Sequence, residues 1–264
     1  MLTRFAPSPT GYLHLGHALA AKRAFDFGPC LLRIEDIDHT RCKAEFTQAI
    51  YEDLEWLGFV WAKPARVQSE HLSDYKAVID TLRGRGLLYR CFLTRTELPH
   101  GIYNGPSTVM SQDEQETRIN QGESFAWRLS MARVRDYLGD IFDTLSYFEK
   151  GKIVSANPES HGDIVLARKD IGTSYHIAAV HDDALQNITD IVRGKDLEDQ
   201  TPLHVLIQTL MNWPAPNYHH HELLCRKDGQ KLSKRNQDTT IKALRKAGHS
   251  PEDVLVMAQA SIFA

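Results

Sequence analysis

The chain has 264 residues, 42% of them hydrophobic and 25% charged, with a formal net charge of -3. These are globular proportions, sufficient to bury one large or two modest cores, and the missing basic excess argues against indiscriminate nucleic-acid binding, so any RNA contact must come from a local patch. No run of about 18 apolar residues is available for a membrane helix, and Met1–Phe5 leads into proline-rich chain rather than an apolar leader core, so a cytosolic setting with no membrane partner is expected.

In chain order, Leu2–Ser8 is a short apolar segment ended by Pro7 and Pro9, and Leu13–Phe25 follows with helical character: strand, turn, helix. A second strand–helix unit runs from Leu31–Ile34, which ends in Glu35-Asp36-Ile37-Asp38, to the amphipathic stretch Lys43–Leu57. A further helix is predicted over Leu72–Arg85, closed by Gly86, with strand resuming at Leu87–Tyr89. From residue 90 to 172 the pattern changes to short strand candidates, Phe125–Leu129 and Asp163–Arg168, around a polar helix at Gln112–Asn120. This predicts an α+β insertion. Helix returns at Tyr175–Asp183, strand at Ile188–Val192, helix at Thr201–Met211 with Pro202 in its first turn, and strand at Glu222–Cys225. The expected fold is an α/β, Rossmann-type doubly wound parallel sheet split by that insertion. Residues 1–89 and 173–226 form the two halves of the core, and residues 227–264 form a basic loop with a short helical C-terminal segment.

Four cysteines, Cys30, Cys42, Cys91 and Cys225, lack paired spacing, which argues against a disulfide framework. The triplet His219-His220-His221 is expected to be a solvated strand entry. Two other elements carry chemistry. His14-Leu15-Gly16-His17 places two imidazoles where a loop feeds a helix, the position at which backbone N–H groups and the helix dipole favour phosphate, and Gly16 permits close approach of a flat base. Lys231-Leu232-Ser233-Lys234-Arg235, after the turn Asp228-Gly229-Gln230, is a basic loop long enough to reach phosphates.

Together, Ala6-Pro7-Ser8-Pro9-Thr10-Gly11-Tyr12-Leu13-His14-Leu15-Gly16-His17 and Lys231–Arg235 resemble the two signatures of class I aminoacyl-tRNA synthetases, in the order that family shows. Arg4–Ser8, Arg33–Asp38, Tyr175-His176 with Asp182-Asp183, and Ile191-Val192-Arg193-Gly194 are similar to the glutamyl subgroup. The resemblance spans nearly the whole chain. It implies an enzyme that activates L-glutamate with ATP and Mg²⁺ as its adenylate. His14, Gly16, His17, Lys231, Ser233 and Lys234 would then serve the nucleotide, with His14, His17, Lys231 and Lys234 stabilising the reacting phosphates. Arg4 and Arg193 would bind the side-chain carboxylate, Glu35 the ammonium, and Ala6, Ser8 and Tyr175 the rest of the glutamate.

Full glutamyl-tRNA synthetases continue past the lysine loop into a helical domain that reads the anticodon, whereas this chain ends at Ala264, about thirty residues later. In this it resembles the shorter members that attach glutamate to the queuosine base of tRNA(Asp). Ala179, where the glutamyl-tRNA synthetases commonly carry Asn, points the same way. A monomer is expected, with queuosine-containing tRNA(Asp) as partner and Arg133, Arg135, Lys152 and Arg168 as available local charge. Such members commonly hold zinc at the start of the insertion, where this chain has Cys91, Leu93, Tyr103 and Ser107; one cysteine and one tyrosine do not make a structural zinc site, so no zinc is expected. The alternatives are a truncated or split glutamyl-tRNA synthetase, a non-catalytic tRNA-binding paralogue, and a small-molecule nucleotidyltransferase that shares the two-histidine motif.

Overall fold

In the computed structural model, which describes residues 1–94, 96–98, 101–106, 110–224 and 240–260, strand β1 (Thr3–Phe5) is buried along its length. It stops before Pro7, which has no N–H to continue a ladder. Helix α1 (Leu15–Phe27) turns Ala18, Leu19, Ala21 and Ala24 inward, and β2 (Cys30–Ile34) returns parallel to β1 with Leu31 beside Arg4. Next come α2 (Ala44–Trp56) and the two-residue β3 (Arg66–Val67), parallel to β2. Helix α3 (Leu72–Gly84) buries Tyr75, Val78, Ile79 and Leu82, the i, i+3, i+4, i+7 stripe of an amphipathic helix.

Strand β4 (Leu88–Cys91) opens the region read as an insertion. Beyond it lie α4 (Gln112–Asn120), β5 (Ala126–Leu129), α5 (Met131–Leu138), α6 (Asp140–Asp143), the antiparallel hairpin β6 (Ser146–Glu149) and β7 (Lys152–Ser155), and β8 (Val165–Ala167). β4, β5 and β8 form an antiparallel sheet of their own. The chain then runs through α7 (Tyr175–Leu185), β9 (Asp190–Gly194), α8 (Thr201–Met211) and β10 (Asn217–His221), and closes with α9 (Ile241–Lys246) and α10 (Pro251–Ala260).

Two parallel ladders make the core: β1-β2-β3, and β9-β10-β6, with β7 antiparallel at the outer edge. They meet where the Leu2 carbonyl accepts hydrogen bonds from the amides of Thr189 (2.9 Å) and Asp190 (3.1 Å). From this seam the chain winds outward in opposite directions, through β2 and β3 on one side and through β10 on the other. A doubly wound sheet leaves a crevice at such a switch point, beyond the carboxyl ends of its strands. Both faces are covered. Cys30, Leu32 and Ile34 of β2 and Val192 of β9 pack with α1, α2 and α10, while Leu31 and Ile191 face α3, α7 and α8. Such double burial explains the near-continuous apolar strands.

The strand expected at Glu222–Cys225 lies earlier, at Asn217–His221, with Cys225 outside the described residues. Its hydrophobic signal is weak because the inward positions are Tyr218 and His220, both fully buried. The reading of residues 90–172 passed over α5, α6 and the β6–β7 hairpin. That hairpin leaves Phe148 and Ile153 exposed, at 49% and 72%, so no clean alternation marked it. It also joins the core sheet, β6 pairing parallel to β10 with Glu149 opposite Tyr218.

Candidate active site

At the switch point the carboxyl ends of β1 and β9 and the start of α1 enclose a cavity of about 590 Å³. Arg4, Ala6, Ser8, His14, Gly16, His17, Glu35, Tyr175 and Arg193 all line it, so the described residues expected from sequence to share a site do share one. Lys231, Ser233 and Lys234 lie outside the described residues. The described chain on either side of them is anchored at the site, however. Leu224 lines the cavity, and Thr240 forms an antiparallel bridge with His14 while the amide of Ile241 donates to the Leu13 carbonyl at 2.9 Å.

The two histidines are built into the helix start. His14 is the N-cap of α1: its Nδ1 accepts from the Gly16 amide at 3.1 Å, and the His14 amide donates to Nδ1 of His17 at 3.2 Å, a reciprocal capping box. With both Nδ1 atoms accepting, each neutral ring carries its proton on Nε2, as a donor. The rings lie 3.9 Å apart. Gly16 is required by this arrangement, because a Cβ there would come within 2.9 Å of His14 Cε1. The glycine thus makes room for the cap.

Beneath Arg4 sits a buried charge network. Asp183, on α7, accepts at Oδ1 from Arg4 Nε (2.9 Å) and from Arg33 Nη1 (2.8 Å), and Arg33 Nη2 donates to Glu35 at 3.1 Å. Arg33 is completely buried, and Glu35 is 8% exposed. Burial opposes charge on Asp183, but Arg33 and Arg4 more than offset it and hold its carboxyl below the usual range. Burial pushes Glu35 the other way, above its usual range, against the pull of Arg33 and Arg4. The neighbouring Asp182 points elsewhere, accepting from Arg66 (2.8 Å), Gln68 (3.1 Å) and Tyr75 (2.8 Å), and so locks α7 to α3. Of the two adjacent acids, one serves the cavity and the other the core.

Arg193, next to last in β9, is 5% exposed and sits among neutral groups. Thr201 accepts from its Nη2 at 2.7 Å, and the Tyr218 ring lies 5.3 Å from its guanidinium carbon. Among the described residues no carboxylate is within ion-pairing distance of it. The cavity thus contains, among the described residues, a buried cation with no carboxylate paired to it, an environment in which an anionic ligand gains most. Burial, then Arg193, keeps His204 neutral well below the ordinary histidine range, and burial raises the Tyr175 phenol, which stays protonated. Residue-by-residue reading missed Arg33, Thr201, His204 and His220. Arg33 carried a signal, a lone cation in the apolar run Leu31–Ile34, and the Thr201 and His204 positions one helical turn apart on α8 carried another.

The solvated expectation for His219–His221 fails at its centre. His220 is fully buried, His219 pairs with Asp190 at 3.0 Å, and His221 Nδ1 lies 2.9 Å from the Glu222 carbonyl, so the three rings alternate across the strand and do not converge. At the zinc-like positions Cys91 is buried in β4, Leu93 is 37% exposed, burial raises the Tyr103 phenol above its ordinary range, and Ser107 lies outside the described residues. Of the basic residues noted above, Arg133 donates to the Gly86 and Leu88 carbonyls, Arg135 pairs with Asp143 and Glu159, and Arg168 pairs with Asp38 and Asp170. Cys30 and Cys91 are buried free thiols, and among the described residues no helix is long and apolar enough to cross a membrane.

The family model for the catalytic domain of class I tRNA synthetases (E and Q) matches residues 1–259. A glutamyl-Q tRNA(Asp) synthetase from Rhodobacter capsulatus is 38% identical, the match covering 96% of this chain and 98% of that protein. A glutamate–tRNA ligase from Aquifex aeolicus is 37% identical over 95% of this chain but only 54% of its own length. Among solved structures, a glutamate tRNA ligase from Elizabethkingia meningosepticum, in complex with its amino acid, superposes with a TM-score of 0.73 at 28% identity, covering 90% of this chain and 52% of that one. The chain thus spans almost all of the first relative and about half of the ligases.

Proposed function

The chain belongs to the class I glutamyl and glutaminyl tRNA synthetase catalytic-domain family, a family of ligases, and from that premise we propose that it activates L-glutamate with ATP and passes it to the queuosine base of tRNA(Asp). The observation that carries the amino-acid assignment is the arrangement of cations in the cavity. Among the described residues Arg193 is buried with no carboxylate paired to it, and Arg4, held at its Nε by Asp183, lines the same cavity, which supports a pair of guanidiniums meeting a side-chain carboxylate. Glutamine would leave that charge unmatched. Glu35 is the acid offered to the ammonium, while Ser8, Ala6 and Tyr175 complete the wall.

In the proposed reaction an α-carboxylate oxygen of glutamate attacks the α-phosphorus of ATP in line. The bond from that phosphorus to the α,β-bridging oxygen breaks, and pyrophosphate leaves. The nucleophile is already an anion, so no base is needed, and catalysis is positioning plus electrostatics. His14 and His17 would donate from Nε2 to the phosphates at the positive end of α1, and Lys231 and Lys234 would meet the growing charge on the leaving group. Mg²⁺ enters as the ATP complex, part of the substrate. A queuosine hydroxyl then attacks the mixed anhydride, forming the ester and releasing AMP. The transfer assignment rests on the near-complete span of the Rhodobacter relative.

The test is ATP–pyrophosphate exchange with glutamate, aspartate and glutamine in the absence of RNA, followed by labelled glutamate with queuosine-containing tRNA(Asp) and with tRNA(Glu). Exchange with glutamate alone and transfer only to tRNA(Asp) is the expected result. Exchange that requires tRNA(Glu) would instead identify the catalytic portion of a glutamate–tRNA ligase. No exchange under either condition would leave a non-catalytic paralogue.

A further inference from the structure

Arg193 is held by an apparatus that extends into the β6–β7 hairpin. Glu149, the last residue of β6, grips His220 twice: Oε1 accepts from the His220 amide at 3.0 Å, and Oε2 lies 2.7 Å from Nδ1. A carboxylate at that distance accepts a hydrogen bond from Nδ1–H, which leaves Nε2 of the neutral ring as an acceptor. Two donors face that nitrogen: Arg193 Nε donates to Nε2 at 3.1 Å, and the Thr201 hydroxyl, 3.2 Å away, can donate to it while accepting from Arg193 Nη2 at 2.7 Å. Every proton in the chain then has one direction, from Arg193 through the imidazole to Glu149. One edge of the guanidinium is thereby used up, and Nη1 lies 3.4 Å from His204 Nδ1, while Arg193 itself lines the cavity.

We propose that Glu149 and His220 are positioning residues for the amino-acid site, a carboxylate–imidazole relay that sets the tautomer and aims Arg193 at the substrate's side-chain carboxylate. The inference rests on the assignment of Arg193 to that carboxylate. The geometry suits a relay better than a direct ion pair. A carboxylate in direct contact with Arg193 would offset part of its charge, as Asp183 does for Arg33 and Arg4. With an imidazole interposed, Arg193 is fixed in place while its charge remains available. Burial and Arg193 both disfavour protonated His220, more than Glu149 favours it, consistent with the acceptor role.

The experiment is glutamate-dependent ATP–pyrophosphate exchange in the full chain, with KM measured separately for glutamate and for ATP. His220→Asn keeps a donor toward Glu149 but withdraws the acceptor from Arg193, His220→Gln returns an amide oxygen close to the Nε2 position, and Glu149→Gln removes the charge that sets the tautomer. Loss of a hydrogen bond to a charged group predicts a glutamate KM raised about 10- to 100-fold in His220→Asn and at least several-fold in Glu149→Gln, with KM for ATP unchanged within about twofold and His220→Gln recovering most of the loss. Equal rises in both KM values, or His220→Gln as impaired as His220→Asn, would mean a packing role and overturn the relay. Arg193→Lys separates the two levels. If it leaves glutamate KM unchanged, the Arg193 assignment fails; if it raises KM while His220→Asn and Glu149→Gln do not, the relay alone fails. Should His220→Asn not fold, Glu149→Gln decides, because the Glu149 side chain is 14% exposed at the end of a strand.

Discussion

Replacing Asp183 by Asn tests whether the site stands on its charge network. The carboxylate is 1% exposed and receives both Arg4 and Arg33, at 2.9 and 2.8 Å, while Glu35 receives only Arg33, at 3.1 Å. Two buried cations are therefore balanced by two buried anions. Asn leaves one positive charge uncompensated where water cannot reach it, and breaking a buried pair in this way costs about 3–5 kcal/mol, a large part of the stability of a domain. Urea unfolding at pH 7, followed by tryptophan fluorescence, would show the midpoint falling accordingly. The sign with pH is fixed as well. The Asp183 carboxyl titrates below its ordinary value in the folded state, so its contribution is present at neutral pH and is lost as pH falls through the folded pKa. The gap between wild type and variant should accordingly narrow in strong acid. Glutamate KM should rise too, because Arg4 loses its Nε anchor. A loss below about 1 kcal/mol, the size of a surface ion pair, would refute the network as a structural foundation of the site.

Three further outcomes are expected. The His176 imidazole is pushed down to about 4, first by burial and then by His161 and Arg193, so the folded protein refuses a proton that the unfolded chain accepts; stability should fall as pH drops from about 6.5 to 4, by up to about 3 kcal/mol, and His176→Gln should flatten that limb in urea titrations. Asp53 on α2 is fully buried, neither carboxylate oxygen has a hydrogen-bond partner, and its nearest cation, Arg245 of α9, is 3.8 Å away; burial raises it to about 6, so its proton is held in the folded state and stability declines as pH rises from about 4 to 6. Asp53→Asn should therefore raise stability at pH 8 by on the order of 1 kcal/mol and lose that advantage below about pH 4, in thermal melts at the two pH values. Elemental analysis of purified, tag-free protein should find no stoichiometric zinc; about one equivalent per chain would overturn the assignment of Cys91, Leu93, Tyr103 and Ser107 as a degenerate site.

How much of this was legible in the sequence varied with the kind of signal. Helices with a strong apolar stripe, such as α3 and α8, were placed well, because 3.6-residue periodicity survives in composition. Strand β10 was displaced because its inward face is made by Tyr218 and His220, which composition reads as polar, and their burial depends on partners far away in sequence. The hairpin β6–β7 was invisible for a related reason: its exposed Phe148 and Ile153 break the alternation, and its stability comes from pairing with β10. At the site, His14, His17, Arg4 and Arg193 could be read from motif order. Glu149 could not, since its role exists only once residues 71 positions apart are side by side.

The parallel seam between β6 and β10 also bears on how this molecule can be taken apart. A gene segment encoding residues 90–172 looks like a cassette that could be exchanged among relatives. Removing it would strip β10 of one neighbour, leaving the Tyr218 carbonyl without the Lys150 amide and the fully buried His220 without Glu149. Uncapped edges of that kind invite intermolecular strand addition. A chimera would therefore have to carry its own β6 equivalent, ending in an acid, or replace β10 at the same time; the two stretches of chain constitute one unit of inheritance although they are distant in the gene.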